Sequence, residues 1–286
     1  MSDIAIRKIE AYIQKMPSLP TTVSKVLDVC NNPKTSPGDL NQVISLDPVL
    51  VGRVLKLINS AYYGLGQQVT SLVRAIIMLG INTVKNLALS TAVLRNLTSK
   101  KDFQALDMEG FWRHSLCVGV AAKVLARKRN VDSKLLDEYF TAGLLHDIGK
   151  IPLNAVLSQE YVQAIADSDR RQVSLHHAET QALGIDHAAA GTMIVKAWKL
   201  GGAIGDAVAW HHNYMAYEGD HKDVVFIVAL ANRFASVMEI GFSGNRYPEK
   251  LDPSIWAYLG VERDIVVEIA DEVNREIEKA KIFLRL

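Results

Sequence analysis

Leu144-Leu145-His146-Asp147-Ile148-Gly149-Lys150 sets an imidazole beside a carboxylate at the end of an apolar run that begins at Ala142. Buried together, the two groups are costly unless something pairs with both, and a divalent metal is one such partner. Local capping of a helix end is the other meaning the dipeptide carries by itself. The remaining histidines bear on that choice: His114, the pair His176-His177, His187, the pair His211-His212, and His221 in a polar loop. Most adjoin apolar stretches of helical period, where an unpaired imidazole is unwelcome.

Working outward, Leu136 to Leu145 has the period of a helix that delivers His146 and Asp147, and Gly149 allows the turn that follows. Phe111 to Lys128 reads as one longer helix with His114 among Phe111, Val118, Ala121 and Leu125. Ala164 to Ser174 is polar and lightly patterned. His176-His177-Ala178-Glu179 is ambiguous, with a surface helix start as the preferred meaning. Asp186 can cap a helix whose apolar face runs through Ala190, Ile194, Ala197 and Trp198, which sets His187 at its mouth. A shorter helix through Ala203, Ile204, Ala207 and Val208 ends in His211-His212, from which one or both imidazoles can turn inward. Val224 to Met238 is strongly apolar around Asn232, a central amide that must bond to a neighbouring helix or face the histidines. Asp252-Pro253 opens a short helix through Trp256, and a last amphipathic helix runs from Glu262 on Ile265, Val266, Ile269, Val273 and Ile277.

The N-terminal half is helical too. Val23, Val26, Leu27 and Val29 make one apolar face that stops near Asn31-Asn32-Pro33. Ser36-Pro37-Gly38-Asp39 has the form of a capping box, and Asp47-Pro48 repeats the device of a cap followed by proline. That second start opens a helix bearing Leu50, Val51, Val54, Leu55 and Ile58. Ser71 can cap Leu72 to Leu79 with Gly80 as its stop, and Val84, Leu87, Ala88 and Leu94 continue with Thr91 as the one small polar residue on their face. Strand alternation is nearly absent, so the expected fold is all-α. The polar stretch Thr98-Ser99-Lys100-Lys101-Asp102 is the candidate boundary between an N-terminal helical lobe, 1–100, and a second helical lobe, 101–286.

Composition excludes several classes. The chain has 286 residues, 49% hydrophobic and 22% charged, which suits a globular protein with a large core. It lacks a run of about 18 uncharged apolar residues and a signal-peptide pattern at Met1-Ser2-Asp3-Ile4, so a cytoplasmic, membrane-free protein is expected. Cys30 and Cys117 have no CxxC spacing, so any metal here takes nitrogen and oxygen ligands. A net charge of +1 argues against nucleic acid as a partner. Arg127-Lys128-Arg129, the one compact basic run, reads as a solvated helix end because no aromatic platform interleaves it.

The order His114, His146-Asp147, His187, His211-His212 resembles the HD superfamily of metal-dependent phosphohydrolases. Leu19-Pro20, Ile44-Ser45-Leu46-Asp47-Pro48-Val49-Leu50, Leu57-Ile58-Asn59-Ser60-Ala61-Tyr62-Tyr63 and Ala75-Ile76-Ile77-Met78-Leu79-Gly80 narrow the likeness to the HDOD domain, the HD-related output domain of bacterial signalling. Glu179, Gly184, Asp186-His187, Gly191 and Trp198 are similar to it as well. The resemblance implies an N-terminal helical lobe packed on an HD-like lobe, placed in signal transduction and often described as lacking demonstrated catalysis. It also implies a metal site at His114, His146 and Asp147, with His187, His211 and His212 matching the added histidines of versions that hold more than one ion. The late aspartate of the pattern falls at Asn232, and an amide oxygen is a weaker, neutral ligand. Relatives that hydrolyse cyclic di-guanylate carry Gly-Tyr-Pro after the histidine pair, whereas this chain has Asn213-Tyr214-Met215.

Two functions follow from that resemblance. One is a regulatory module with a metal-binding site that responds to a signalling protein or a small phosphorylated ligand. The other is a metal-dependent phosphohydrolase in which Asp147 and Lys150 serve catalysis, Lys150 meeting a phosphate oxygen. The ligand set suits one or two ions of iron, manganese, zinc or nickel. Both readings require the imidazoles and the Asp147 carboxylate to converge on one point.

Overall fold

Short-range chemistry starts three helices of the N-terminal half, at Ser36, Asp47 and Ser71. The computed structural model describes residues 2–98 and 105–285, so of the candidate boundary at 98–102 all but Thr98, which ends a helix, lies outside the described residues. The first helices are α1 (Ser2–Lys15), α2 (Thr21–Cys30) and α3 (Pro37–Ile44). At the start of α3 the Ser36 hydroxyl accepts from the Asp39 N–H at 3.2 Å, and the Asp39 carboxylate accepts from the Ser36 N–H at 2.9 Å. α4 (Pro48–Ile58) opens on Asp47, whose carboxylate accepts from the Leu50 N–H at 3.0 Å. It turns Leu50, Val54, Leu57 and Ile58 inward, each contributing about 1.5–3 kcal/mol on burial. α5 (Leu72–Leu79) starts at Ser71 and stops at Gly80, whose φ of +88° lets the chain bend by 117° into α6 (Ile81–Thr98). α6 packs on α2, α4 and α5.

Thr91 is not the lone polar residue on the inner face of α6: Thr83, Asn86 and Ser90 are buried with it. Their burial is tolerable because hydroxyls turn back on the helix, Ser90 donating to Asn86 O at 2.8 Å and Thr91 to Leu87 O at 2.8 Å. No single helix among the described residues is long and apolar enough to cross a membrane, and α5 with α6 reaches that length only across the bend.

The second half is built on α7 (Met108–Lys128) and α8 (Leu136–Leu145). They cross backbone to backbone at two glycines, since a Cβ on Gly119 would stand 2.7 Å from Phe140 O and one on Gly143 2.8 Å from the Gly119 Cα. That approach brings His114 on α7 near His146 at the end of α8. Around this pair lie α9 (Lys150–Val156), α10 (Ser158–Arg171), α11 (Leu175–Leu183), α12 (His187–Ala197), α13 (Gly202–Trp210) and α14 (Lys222–Val237). α14 lies against α7 and α8, and α6 packs on α8 to join the two halves. α1 leaves its sequence neighbours and packs on α9 and α12.

One unassigned stretch is placed and two expectations need correcting. The polar stretch after Ala164 belongs to α10, which the sequence disguises because it buries only the narrow stripe Tyr161, Ala164 and Ser168. The C-terminal amphipathic helix is broken into α16 (Ile265–Glu268) and α17 (Ala270–Ala280), followed by a 3-10 turn at Lys281–Arg285, while α15 (Ser254–Leu259) precedes them. Arg127-Lys128-Arg129 is half-exposed but engaged: Arg127 pairs with Glu272, Lys128 with Glu268, and Arg129 Nε donates to Leu259 O at 2.8 Å. The basic run therefore docks the C-terminal helices on α7.

Candidate metal centre

Separate helices and the turns at their ends supply the side chains. His114 comes from the middle of α7, His146 and Asp147 from the turn between α8 and α9, His187 from the first position of α12, and His211 and His212 from the end of α13. The Asp186 carboxylate caps α12 by accepting from the Ala189 N–H at 2.7 Å, which fixes where His187 enters. Gly149 does not serve as a flexible turn, because its φ of −67° suits any residue. It serves close approach: a Cβ there would stand 1.8 Å from His187 O and 2.4 Å from Gly191 N. The side chains meet because α12 rests directly on the backbone of the His146–Lys150 turn.

Asp147 is the shared member of two ligand-like groups, one with His114 and His146, the other with His187, His211 and His212, each with its candidate atoms within 4.8 Å of one another. Its Oδ2 lies 3.3 Å from His146 Nε2, and its Oδ1 lies 3.1 Å from His187 Nε2 and 3.6 Å from His211 Nε2. His187 Nε2 and His212 Nε2 face each other at 2.9 Å. Both members of the His211-His212 pair therefore point inward. Lys150 is buried, with Nζ donating to Asp147 Oδ2 at 2.7 Å. Asn232 Oδ1 lies 2.9 Å from His114 Nε2, so the amide both bonds a neighbouring helix and borders the cluster.

The outer nitrogens are satisfied. His146 Nδ1 lies 2.7 Å from Gly143 O, His211 Nδ1 3.0 Å from Ala207 O, and His187 Nδ1 2.5 Å from Glu179 Oε2. Donation at Nδ1 turns each Nε2 toward the cluster, the nitrogen a metal takes once it is free of a proton. Yet His146 Nε2, His211 Nε2 and Asp147 Oδ1 are buried without a hydrogen-bond partner. Each such orphan costs about 1–3 kcal/mol, so three together are a large fraction of a domain's stability of about 5–15 kcal/mol. Divalent metal shared through Asp147 would satisfy all three, His146 in one ligand group and His211 in the other, so the residues present fit a nitrogen and oxygen bound metal.

Electrostatics agree with that fit. Burial pushes the imidazole of His114 down to about 3 and that of His211 down to about 4, and it holds His212 well below its ordinary value. All three are neutral near pH 7, as ligands must be. Burial opposes charge on His187 as well, but the Glu179 carboxylate, helped by Asp147, raises it to about 9. Against the burial that would raise it, His146, Lys150 and His187 hold the Asp147 carboxyl well below the usual carboxylate range. In the metal-free protein a proton on His187 stands where a cation is wanted.

Sequence reasoning placed 176–179 at a surface helix start and so missed its part in the centre. Ser174 does cap α11, but Glu179 is fully buried, accepts from the His187 N–H at 2.9 Å and from the Tyr161 hydroxyl at 2.9 Å, and orients His187. The spacing Leu175, Ala178, Glu179, Leu183 carried that signal, since it puts the carboxylate on the buried face. Glu249, beside His176 and His212, lies in an aperiodic segment and left no such trace.

A family model for the HDOD domain matches residues 16–214. An uncharacterized protein of Treponema pallidum (strain Nichols) is 25% identical over 253 residues, covering 88% of this chain and 47% of that protein, so the chain spans about half the length of this curated relative. Among solved structures, an HDOD domain protein with unknown function from Geobacter sulfurreducens is similar with a TM-score of 0.76 at 22% identity, over 99% of each chain. A Marinobacter aquaeolei protein provisionally named for signal transduction gives 0.72 at 22% identity, over 99% of this chain and 66% of its own. A Shewanella amazonensis protein provisionally named a phosphohydrolase gives 0.70 at 22% identity, over 96% and 98%. At these identities the structures speak for the fold.

Proposed function

Because this chain belongs to the HDOD domain family, we propose that it is a regulatory module of bacterial signal transduction whose HD-like centre holds one or two divalent ions and meets a small phosphorylated ligand or a signalling protein. The observation that carries this reading is the set of three orphaned, buried ligand atoms around Asp147. His114 and His146 would serve one ion and His187, His211 and His212 the other, with the Asp147 carboxylate common to both. Such an ion supplies Lewis acidity toward a phosphate oxygen. The protein supplies the rest: Glu179 keeps His187 in its ligand tautomer, and Lys150 compensates the charge of Asp147. With its ammonium on that carboxylate, Lys150 acts on a phosphate only by leaving it.

Metal-dependent phosphohydrolysis is the second reading. A cavity of about 270 Å³ reaches His211, His212 and Asn232 and carries Arg233 and Lys250 on its wall, a combination that suits a phosphorylated substrate. The neutral Asn232 in place of a carboxylate puts the regulatory reading first. A panel of phosphoesters and cyclic nucleotides, incubated with manganese- or iron-loaded protein and with Asp147→Ala, separates the two. The regulatory reading expects metal-dependent binding of a phosphorylated compound without turnover. Hydrolysis that disappears in Asp147→Ala would favour the enzyme.

A further inference from the structure

Glu249 sits on the segment 241–252, between α14 and α15, away from every helix that carries a candidate ligand. This segment walls the centre on both sides, bordering the 270 Å³ cavity at His212 and a second one of about 520 Å³ at His114. Three ties hold it. Asn245 Oδ1 accepts from the Leu175 N–H at 3.1 Å, Arg233 Nη1 donates to Pro248 O at 3.0 Å, and the Asp252 N–H donates to the Tyr214 hydroxyl at 2.7 Å. So held, Glu249 presents one oxygen to each of two stacked imidazoles: Oε2 lies 3.3 Å from His212 Nδ1 and Oε1 3.4 Å from His176 Nδ1, the rings 4.6 Å apart and 16° from parallel. His176 Nε2 in turn lies 3.1 Å from Asp186 Oδ2, the cap of α12.

His212 has two ring nitrogens and one is spent inward, with Nε2 facing His187 Nε2. Its Nδ1 must then carry the proton and find an acceptor, as the outer nitrogens of His146, His187 and His211 do on Gly143, Glu179 and Ala207. Glu249 stands where that acceptor is needed. His176, His212 and Glu249 also lie close enough to hold an ion themselves, but such an ion would require His212 to bind through both nitrogens at once.

We propose that Glu249 is a positioning residue of the metal centre: its carboxylate fixes the His212 proton on Nδ1 and aims Nε2 at the ion, while His176, anchored on Asp186, holds that carboxylate in place. The inference rests on the metal-centre reading above. It makes the segment that walls both cavities and the orientation of one ligand a single mechanical unit.

Cobalt(II) titration of the metal-free protein, read by visible absorption, tests it with wild type, Glu249→Ala and Glu249→Gln. Expected are a cobalt band in wild type, an affinity about 10–100-fold weaker with an altered band in Glu249→Ala, and partial recovery in Glu249→Gln, whose amide oxygen can accept the same hydrogen bond. Melting temperatures of the metal-free forms should stay close, since the Glu249 side chain is 42% exposed. Wild-type affinity and band in Glu249→Ala would overturn the role of Glu249 and leave the metal centre standing. No cobalt band in wild type would overturn the centre and this inference with it.

Discussion

Gly149→Ala is expected to disable the centre without touching a ligand. The added methyl would stand 1.8 Å from His187 O and 2.4 Å from Gly191 N, and both are backbone atoms that cannot rotate away. An ordinary carbon to oxygen contact is roughly 3.2 Å or more, so α12 and the His146–Lys150 turn must separate by about 1.4 Å, or the turn must distort by as much. Overpacking of this kind costs about 1–3 kcal/mol. For the metal the consequence is larger, because ligand distances tolerate about 0.2 Å and the shift falls between Asp147 Oδ1 and His187 Nε2, now 3.1 Å apart. Metal content after dialysis, read by elemental spectroscopy, should fall to background while circular dichroism remains helical and the melting temperature drops by several degrees. Gly52→Ala is the control, since a Cβ there meets nothing within 4 Å and the residue lies inside α4. That variant should be stabilised by up to about 1 kcal/mol and keep its metal. Wild-type metal content and melting temperature in Gly149→Ala would refute the close-approach account.

Asn232→Asp should tighten divalent-metal binding by about tenfold or more, because a carboxylate replaces a neutral amide beside His114; isothermal titration with manganese checks it. In the metal-free protein, lowering the pH should destabilise the fold. Between about 6.5 and their depressed values of about 3 and 4, His114 and His211 bind more protons unfolded than folded, so stability falls by up to about 1.4 kcal/mol per pH unit for each. His187, raised to about 9, acts with the opposite sign, its contribution complete below about 6.5 and lost as the pH rises through 9. Denaturant unfolding with chelator present, from pH 4 to 9.5, should show both limbs.

The caps at Ser36, Asp47, Ser71 and Asp186 were legible because a cap is decided within three residues, and each opens the helix the sequence assigned to it. α10 was not, because its many polar residues hide a stripe one residue wide whose partner, α11, lies beyond a turn. Asp147 and the histidines could be named in advance because their order resembles the HD pattern; burial beside apolar faces by itself said only that the imidazoles need partners. Where they meet depends on backbone approach at Gly119 against Gly143 and Gly149 against Gly191, which no local pattern encodes. Glu179 was within reach through its helical spacing, whereas Glu249 arrives by the course of a loop.

Elemental analysis of the purified protein, beside Asp147→Asn, tests the central claim most directly. The shared carboxylate predicts one or two equivalents of iron, manganese, zinc or nickel in wild type and a severe loss in the variant, both proteins remaining helical. A wild-type protein that stays metal-free after incubation with each of these ions, while folded with its three orphaned atoms buried, would contradict it.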